Sequence, residues 1–245
     1  MPHIVVKFGV DGRKIQMFDS RIMKAIILGL LLLGMVRPVL AVDRAELDDR
    51  VRMLTGKFEA LQAQGDKRVP ADVLDKAKGI ILLDTTKAGF MFAFQGGDGV
   101  AMVKDKWGNW SPVAFLNKTE GSFGFQAGGQ RNFYVILLMN TNATRGLLKP
   151  AVDFGGEAQG TAGNNSSKAE GQFVSPLQSV VVYDDHDGFY AGAALKTGTL
   201  APADDDNNVY YGQSVTMSDI LFDQKLEPTQ VSYDLAKKIK TWSRK

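Results

Sequence analysis

The sequence predicts an α+β fold: a strongly curved antiparallel, glycine-rich β-sheet or partial barrel with packed N- and C-terminal helices. Three observations predict it. Apolar residues recur at helical spacing near both ends of the chain beyond residue 42, and between those ends they alternate instead. Of the 22 glycines after residue 42, 19 lie between Gly79 and Gly198, so glycine enrichment and alternation coincide. Glycine inside strands marks bulges, tight bends or the close approach of another element, which is why such strands imply curvature.

The elements follow in order. Ala25 to Val36 is an unbroken run of apolar or glycine residues, led by Arg21 and Lys24 and followed by Arg37-Pro38-Val39-Leu40-Ala41. That is the layout of a secretory signal, with cleavage expected between Ala41 and Val42. A membrane span needs roughly 20 apolar residues, and this run is too short. Asp11 and Asp19 suit a signal poorly, so Met23 is a possible true start. Residues 1–41 are therefore read as a signal peptide, 42–68 as an N-terminal helix with its connection, and 69–245 as the main domain. Leu47, Val51, Leu54, Phe58 and Leu61 share one helical stripe from about Asp43 to Gln64. A short helix is expected to start at Pro70 and stop at Gly79, burying Val73, Leu74 and Ala77.

From Ile80 the period becomes two. Phe90, Phe92 and Phe94 fall on one side of an extended chain, as do Phe123, Phe125 and Ala127. Further strands are expected at Val100 to Lys104, Phe133 to Met139, Val152 to Thr161, Ser179 to Asp184 and Phe189 to Lys196. Helical turns are expected from Asn142 to Leu148 and around Ser218 to Phe222. Thr161 to Lys168 and Ala201 to Asn208 read as polar connectors without periodicity. Glu227-Pro228 introduces a last helix with Val231, Leu235, Ile239 and Trp242 on one side and Lys237, Lys238, Lys240, Arg244 and Lys245 on the other.

Charge narrows the function. Residues 1–41 hold six Lys/Arg and two Asp, so a chain of net +2 becomes −2 once those +4 charges are removed. Nucleic-acid binding needs a strong basic footprint, and none is expected here. Absence of cysteine excludes disulfides, a Cys–His pair and a lipid-modified cysteine. His186 is the one histidine after residue 42, and it sits in Tyr183-Asp184-Asp185-His186-Asp187-Gly188, which reads as a hairpin turn rather than a catalytic base. The carboxylates of Asp184, Asp185 and Asp187, or of Asp204, Asp205 and Asp206, match no calcium-loop spacing, and no metal or cofactor is expected. Gly96-Gly97-Asp98-Gly99 and Gly128-Gly129 lack the helix start that a phosphate loop needs and read as turns or bulges. Trp107 and Trp110 bracket Gly108-Asn109 in a hairpin and are expected to pack across the sheet. No catalytic residue is assigned.

The order and spacing of several segments resemble those of the SYLF domain. They are Val69-Pro70 to Lys78-Gly79-Ile80, Gly89-Phe90, Gly96-Gly97-Asp98-Gly99-Val100 and Trp107-Gly108-Asn109-Trp110-Ser111-Pro112. Gly124-Phe125-Gln126-Ala127-Gly128, Met139-Asn140, Phe154-Gly155, Gly188-Phe189-Tyr190-Ala191-Gly192 and Asn208-Val209-Tyr210-Tyr211-Gly212 continue the likeness. The resemblance implies a non-enzymatic, lipid-associating module. Family members in eukaryotes bind phosphoinositides and in some cases actin; bacterial members are mostly exported. It thus implies a periplasmic or cell-envelope protein that meets membrane lipids, anionic phospholipid foremost. One departure is the acidic tip Asp184 to Asp187, where the family often has Ser or a basic residue.

The candidate lipid- and membrane-binding residues are Lys237, Lys238, Lys240, Trp242, Arg244 and Lys245, since a basic helix face with a terminal Trp suits a membrane interface. The competing reading of that helix is plain docking on the sheet with its lysines in water. Two other functions stay open: a structural or protein-interaction module of the envelope, and a hydrolase using buried carboxylates.

Overall fold

The computed structural model describes residues 42–65, 67–89, 92–123, 128–152, 179–185, 188–190, 199–223 and 225–245. The expected leader 1–41, the strand segments 153–161 and 191–196, the connector 161–168, and Phe90, Phe125, Ala127, His186 and Asp187 lie outside the described residues. Val42–Lys245 forms one compact unit, and every residue of both apolar cores belongs to it.

Helix α1 spans Arg44–Gln62, with Asp43 as its N-cap accepting from the Glu46 amide at 2.8 Å. A cap of this kind satisfies one of the first-turn amides that the helix leaves open. The predicted stripe is the buried one: Leu47, Val51, Leu54, Phe58 and Leu61 are each at most 1% exposed. Beyond the helix, the buried Gln62 amide holds the backbone of Val69, accepting at 2.8 Å and donating at 3.3 Å. That clamp sets the entry to α2, Ala71–Lys76, which buries Val73 and Leu74.

Seven strands form one antiparallel sheet: β1 Gly79–Gly89, β2 Phe92–Val103, β3 Ala114–Phe123, β4 Gly128–Leu138, β5 Val180–Asp184, β6 Gly188–Tyr190 and β7 Thr199–Pro202. Their spatial order is β6-β5-β4-β1-β2-β3-β7. The first four strands thus lie as 4-1-2-3, the order of a Greek key. Among the described residues the sheet's edges β6 and β7 do not pair with each other. The α+β class holds: an antiparallel sheet with helices packed at both ends of the described chain.

The remaining helices are α3 Thr141–Gly146, α4 Asp204–Tyr211, α5 Met217–Leu221 and α6 Gln230–Trp242. Alternation along the strands gives the sheet two apolar faces. On one, Ile80, Leu82, Val100, Met102, Phe115 and Val135 pack against α1, α2, α6 and Tyr210 of α4. On the other, Ile81, Leu83, Leu116, Ile136 and Val182 pack against α3 and α5. Burial of each such side chain contributes about 1.5–3 kcal/mol, so both faces are needed for a stable sheet.

Several expectations need correcting. Gly96-Gly97-Asp98-Gly99 is not a turn but the middle of β2, paired with Thr86, Thr85, Asp84 and Leu83 of β1. A Cβ at Gly97 would sit 2.6 Å from the Asp84 carbonyl oxygen and 2.8 Å from Thr85 Cγ2, so the glycine admits close strand approach instead of bending the chain. Gly128 and Gly129 likewise lie in β4, opposite Gly89 and Ala88. Ala201 to Asn208 is no connector: it holds the end of β7 and the first five of the eight residues of α4. Its three aspartates fill the first turn of α4, where the helix dipole favours negative charge. Trp107 does not pack across the sheet and is 68% exposed, whereas Trp110 does pack against the core.

Candidate functional site

Helix α6 starts at the N-cap Thr229, whose hydroxyl accepts from the Ser232 amide at 3.4 Å. Val231, Leu235 and Ile239 are buried against the sheet and α1. Ser232, also buried, accepts from the Val113 amide at 3.1 Å and so ties the helix to the entry of β3. The docked face fixes which residues remain outside. Tyr233, Lys237, Lys240 and Arg244 recur at spacings of four, three and four, and all are exposed, so they form one ridge along the solvent side. Tyr233 is 58% exposed at the head of that ridge. Lys240 lies in the last turn, where the helix dipole favours a cation.

The sequence-predicted site residues divide accordingly. Lys237, Lys240, Arg244 and Lys245 face solvent. Lys238 is exposed too, but its ammonium pairs with Glu59 of α1 at 2.6 Å. Trp242 is half-buried at the rim of the core, and the Lys245 ammonium stands 3.9 Å above its ring. Tyr233 was missed, since an isolated tyrosine at the start of a helix carries no sequence signal of exposure.

A second exposed aromatic sits on the β2–β3 connection. There the Asp105 carboxylate accepts from the amides of Trp107 at 2.7 Å and Asn109 at 2.9 Å, and from the Asn109 side chain at 3.2 Å. Partial burial pushes the Asp105 pKa up, but the hydrogen bonds from Asn109, Trp107 and Gly108 outweigh it, and the carboxyl is held below its ordinary value. Lys104 donates to the Asp75 carbonyl at the end of α2, 2.6 Å away. Burial lowers its pKa, with Asp75 opposing that and Lys78 adding to it.

Two members of the acidic runs have partners within the fold. Asp185 accepts from the Phe133 amide at 3.0 Å, and Asp206 pairs with Arg50 at 2.6 Å. Among the described residues no three His, Asp or Glu side chains are grouped to hold a metal ion. A recess of about 600 Å³ opens beside Met53, over Gly96 and Asn117, but its acids Asp84 and Asp98 face Lys57 at 2.6 Å and Arg50 at 3.7 Å. Among the described residues no helix is long and apolar enough to cross a membrane.

Fold and surface together define a compact α+β domain with an exposed cationic ridge on α6 and exposed aromatic side chains at Trp107 and Tyr233. Residues 119–241, which are 123 of the 245, match the family model described as "Ysc84: Las17-binding protein actin regulator". The chain belongs to this Ysc84 family, which is the SYLF family of the sequence resemblance. It is 28% identical over 199 residues to the human "SH3 domain-containing YSC84-like protein 1", a match covering 80% of this chain and 58% of the relative. It is 24% identical over 194 residues to "LAS seventeen-binding protein 3" of Saccharomyces cerevisiae, covering 77% of this chain and 42% of that protein. The chain thus spans about half the length of the curated relatives it matches. No solved structure matches it.

Proposed function

We propose that this chain is a non-enzymatic domain that associates with anionic lipid surfaces through the outer ridge of α6, as an exported protein of the bacterial periplasm or cell envelope. The observation that carries this reading is the separation of roles on α6. Val231, Leu235 and Ile239 are consumed by docking, while Lys237, Lys240 and Arg244 stand exposed in line behind Tyr233. Each such cation near an anionic surface contributes about 1 kcal/mol, and the attraction fades with salt.

The test is co-sedimentation of Val42 to Lys245 with liposomes of graded anionic content. Binding rises with anionic lipid, falls with salt, and weakens about a hundredfold on replacing Lys237, Lys240 and Arg244 together by alanine. Lys238→Ala, already spent on Glu59, has little effect. An unchanged triple variant overturns the ridge as the binding surface. Export is tested separately with the full chain, Met1 to Lys245, expressed in a bacterium: protein from the envelope fraction begins at Val42, and an intact N-terminus confined to the cytoplasm overturns it.

A second reading is supported by the names of the relatives. The matched family is described as Las17-binding, and one relative is named for the same binding, so a protein partner for this domain is the alternative. A partner retained by the triple variant without lipid favours it.

A further inference from the structure

We infer that the β2–β3 turn is a second membrane anchor, which seats the Trp107 indole at the headgroup level of an anionic bilayer beside the ridge of α6. This rests on the lipid reading proposed above and adds to it a surface on a different element.

Trp107 is the most exposed large hydrophobic side chain among the described residues, at 68%. The turn that carries it is rigidly built. Asp105 donates its amide to the Asn109 carbonyl at 2.8 Å, its own carbonyl accepts from Gly108 at 3.1 Å, and its carboxylate takes the amides of Trp107 and Asn109. Gly108 adopts φ +85°, a left-handed conformation that side chains disfavour, so the turn is specified by sequence as well. Three residues on, Trp110 turns inward and packs on the core. The turn therefore has an anchor of its own, and Trp107 is held out in water without serving it. A preformed turn has already lost the conformational freedom that a flexible loop would lose on binding.

The setting of the ring selects the occupant. The Lys106 ammonium lies 4.3 Å over the indole, and exposed Lys78 and half-exposed Lys104 stand at the adjoining strand ends. The carboxylate of the turn itself, Asp105, is turned onto the amides of Trp107 and Asn109. An indole with a wet edge and an apolar face, flanked by lysines, matches the interface of an anionic membrane. The turn is linked to α6 through α2: Lys104 bonds the last turn of α2, and α2 packs against α6.

The experiment uses Val42 to Lys245 and phosphatidylcholine vesicles containing phosphatidylserine, with and without brominated acyl chains. Wild-type tryptophan emission is quenched by bromine, and Trp107→Ala removes much of that quenching. The same substitution weakens binding about tenfold, the size expected for an aromatic ring leaving an apolar interface, while the thermal midpoint stays put. Trp107→Phe restores most of the affinity. If Trp107→Ala binds and quenches like wild type, the turn is no anchor, and the α6 reading stands alone. If wild type binds no vesicle, both fall. Loss of a protein partner in Trp107→Ala with vesicle binding intact also overturns the inference and assigns the ring to a protein pocket.

Discussion

Adjacent glycines in β2 have opposite duties. At Gly97 an added methyl would meet the Asp84 carbonyl at 2.6 Å and Thr85 Cγ2 at 2.8 Å, whereas at Gly96 it would meet nothing within 4 Å. Gly97→Ala is therefore expected to cost about 1–3 kcal/mol, the usual penalty for forcing atoms into a filled space, and to lower the melting temperature by several degrees. Gly96→Ala is expected to leave stability level or slightly higher, because it reduces the freedom of the unfolded chain. Thermal unfolding of the two variants checks the contrast, and equal effects would refute it. Sequence alone makes the two alike. The distinction rests on which side of β2 faces β1's backbone most closely, a property of the partner strand and not of the glycine. The site was legible to a similar depth: the cationic side of α6 followed from spacing, while the loss of Lys238 to Glu59 needed the position of α1.

Among the elements, α4 was the one hidden in sequence. Three leading aspartates and a following Asn-Asn pair look like a solvated linker, and eight residues are too few for a helix to persist without tertiary support. That support comes from Asn207, whose buried amide accepts from the Phe115 amide at 2.8 Å and donates to the Phe115 carbonyl at 3.2 Å. The side chain thus pairs with β3 as a short piece of strand would. Asn207→Ala strands the Phe115 amide in the core, while the Phe115 carbonyl keeps its bond from the Ala203 amide. A buried group left unsatisfied costs about 1–3 kcal/mol, and a loss of that size is expected. Urea denaturation reads it as a lower midpoint with an unchanged slope. Little change would mean that α4 is held by Tyr210, Tyr211 and the Asp206–Arg50 pair instead. By contrast α1, α2 and α6 were legible because an apolar stripe at helical spacing carries its own evidence of docking.

At the scale of the whole molecule, alternation identified strands and faces but not neighbours. The order β6-β5-β4-β1-β2-β3-β7 depends on which strands share a core, and two-sided burial of β1 reads simply as an apolar run. What joins the layers is a set of tyrosines. Tyr210 of α4 donates to Asp48 of α1 at 3.0 Å and shares a 2.6 Å hydrogen bond with Thr229 at the start of α6, while Tyr211 donates to the Val113 carbonyl at 2.5 Å. Burial pushes the Tyr210 pKa up to about 12; the Thr229 bond opposes the rise and Asp48 adds to it. Burial likewise raises Tyr211, with Tyr210 adding to the effect, and raises Tyr183 on β5, where Asp72 contributes. An unfolded tyrosine ionises near pH 10. Below that pH the unfolded and folded chains bind the same phenolic protons, and stability does not depend on them. Above it the unfolded chain releases protons that the folded chain retains, so stability falls as pH rises from about 10 through about 12. Three of the six tyrosines should therefore fail to titrate near pH 10 and ionise only as the sheet and helices separate. Absorbance at the phenolate band, followed together with far-ultraviolet circular dichroism, checks this. Coincident steps above pH 10 match the layered arrangement, whereas reversible ionisation of all six with the dichroism intact would show that these hydroxyls do not hold α1, α4 and α6 together.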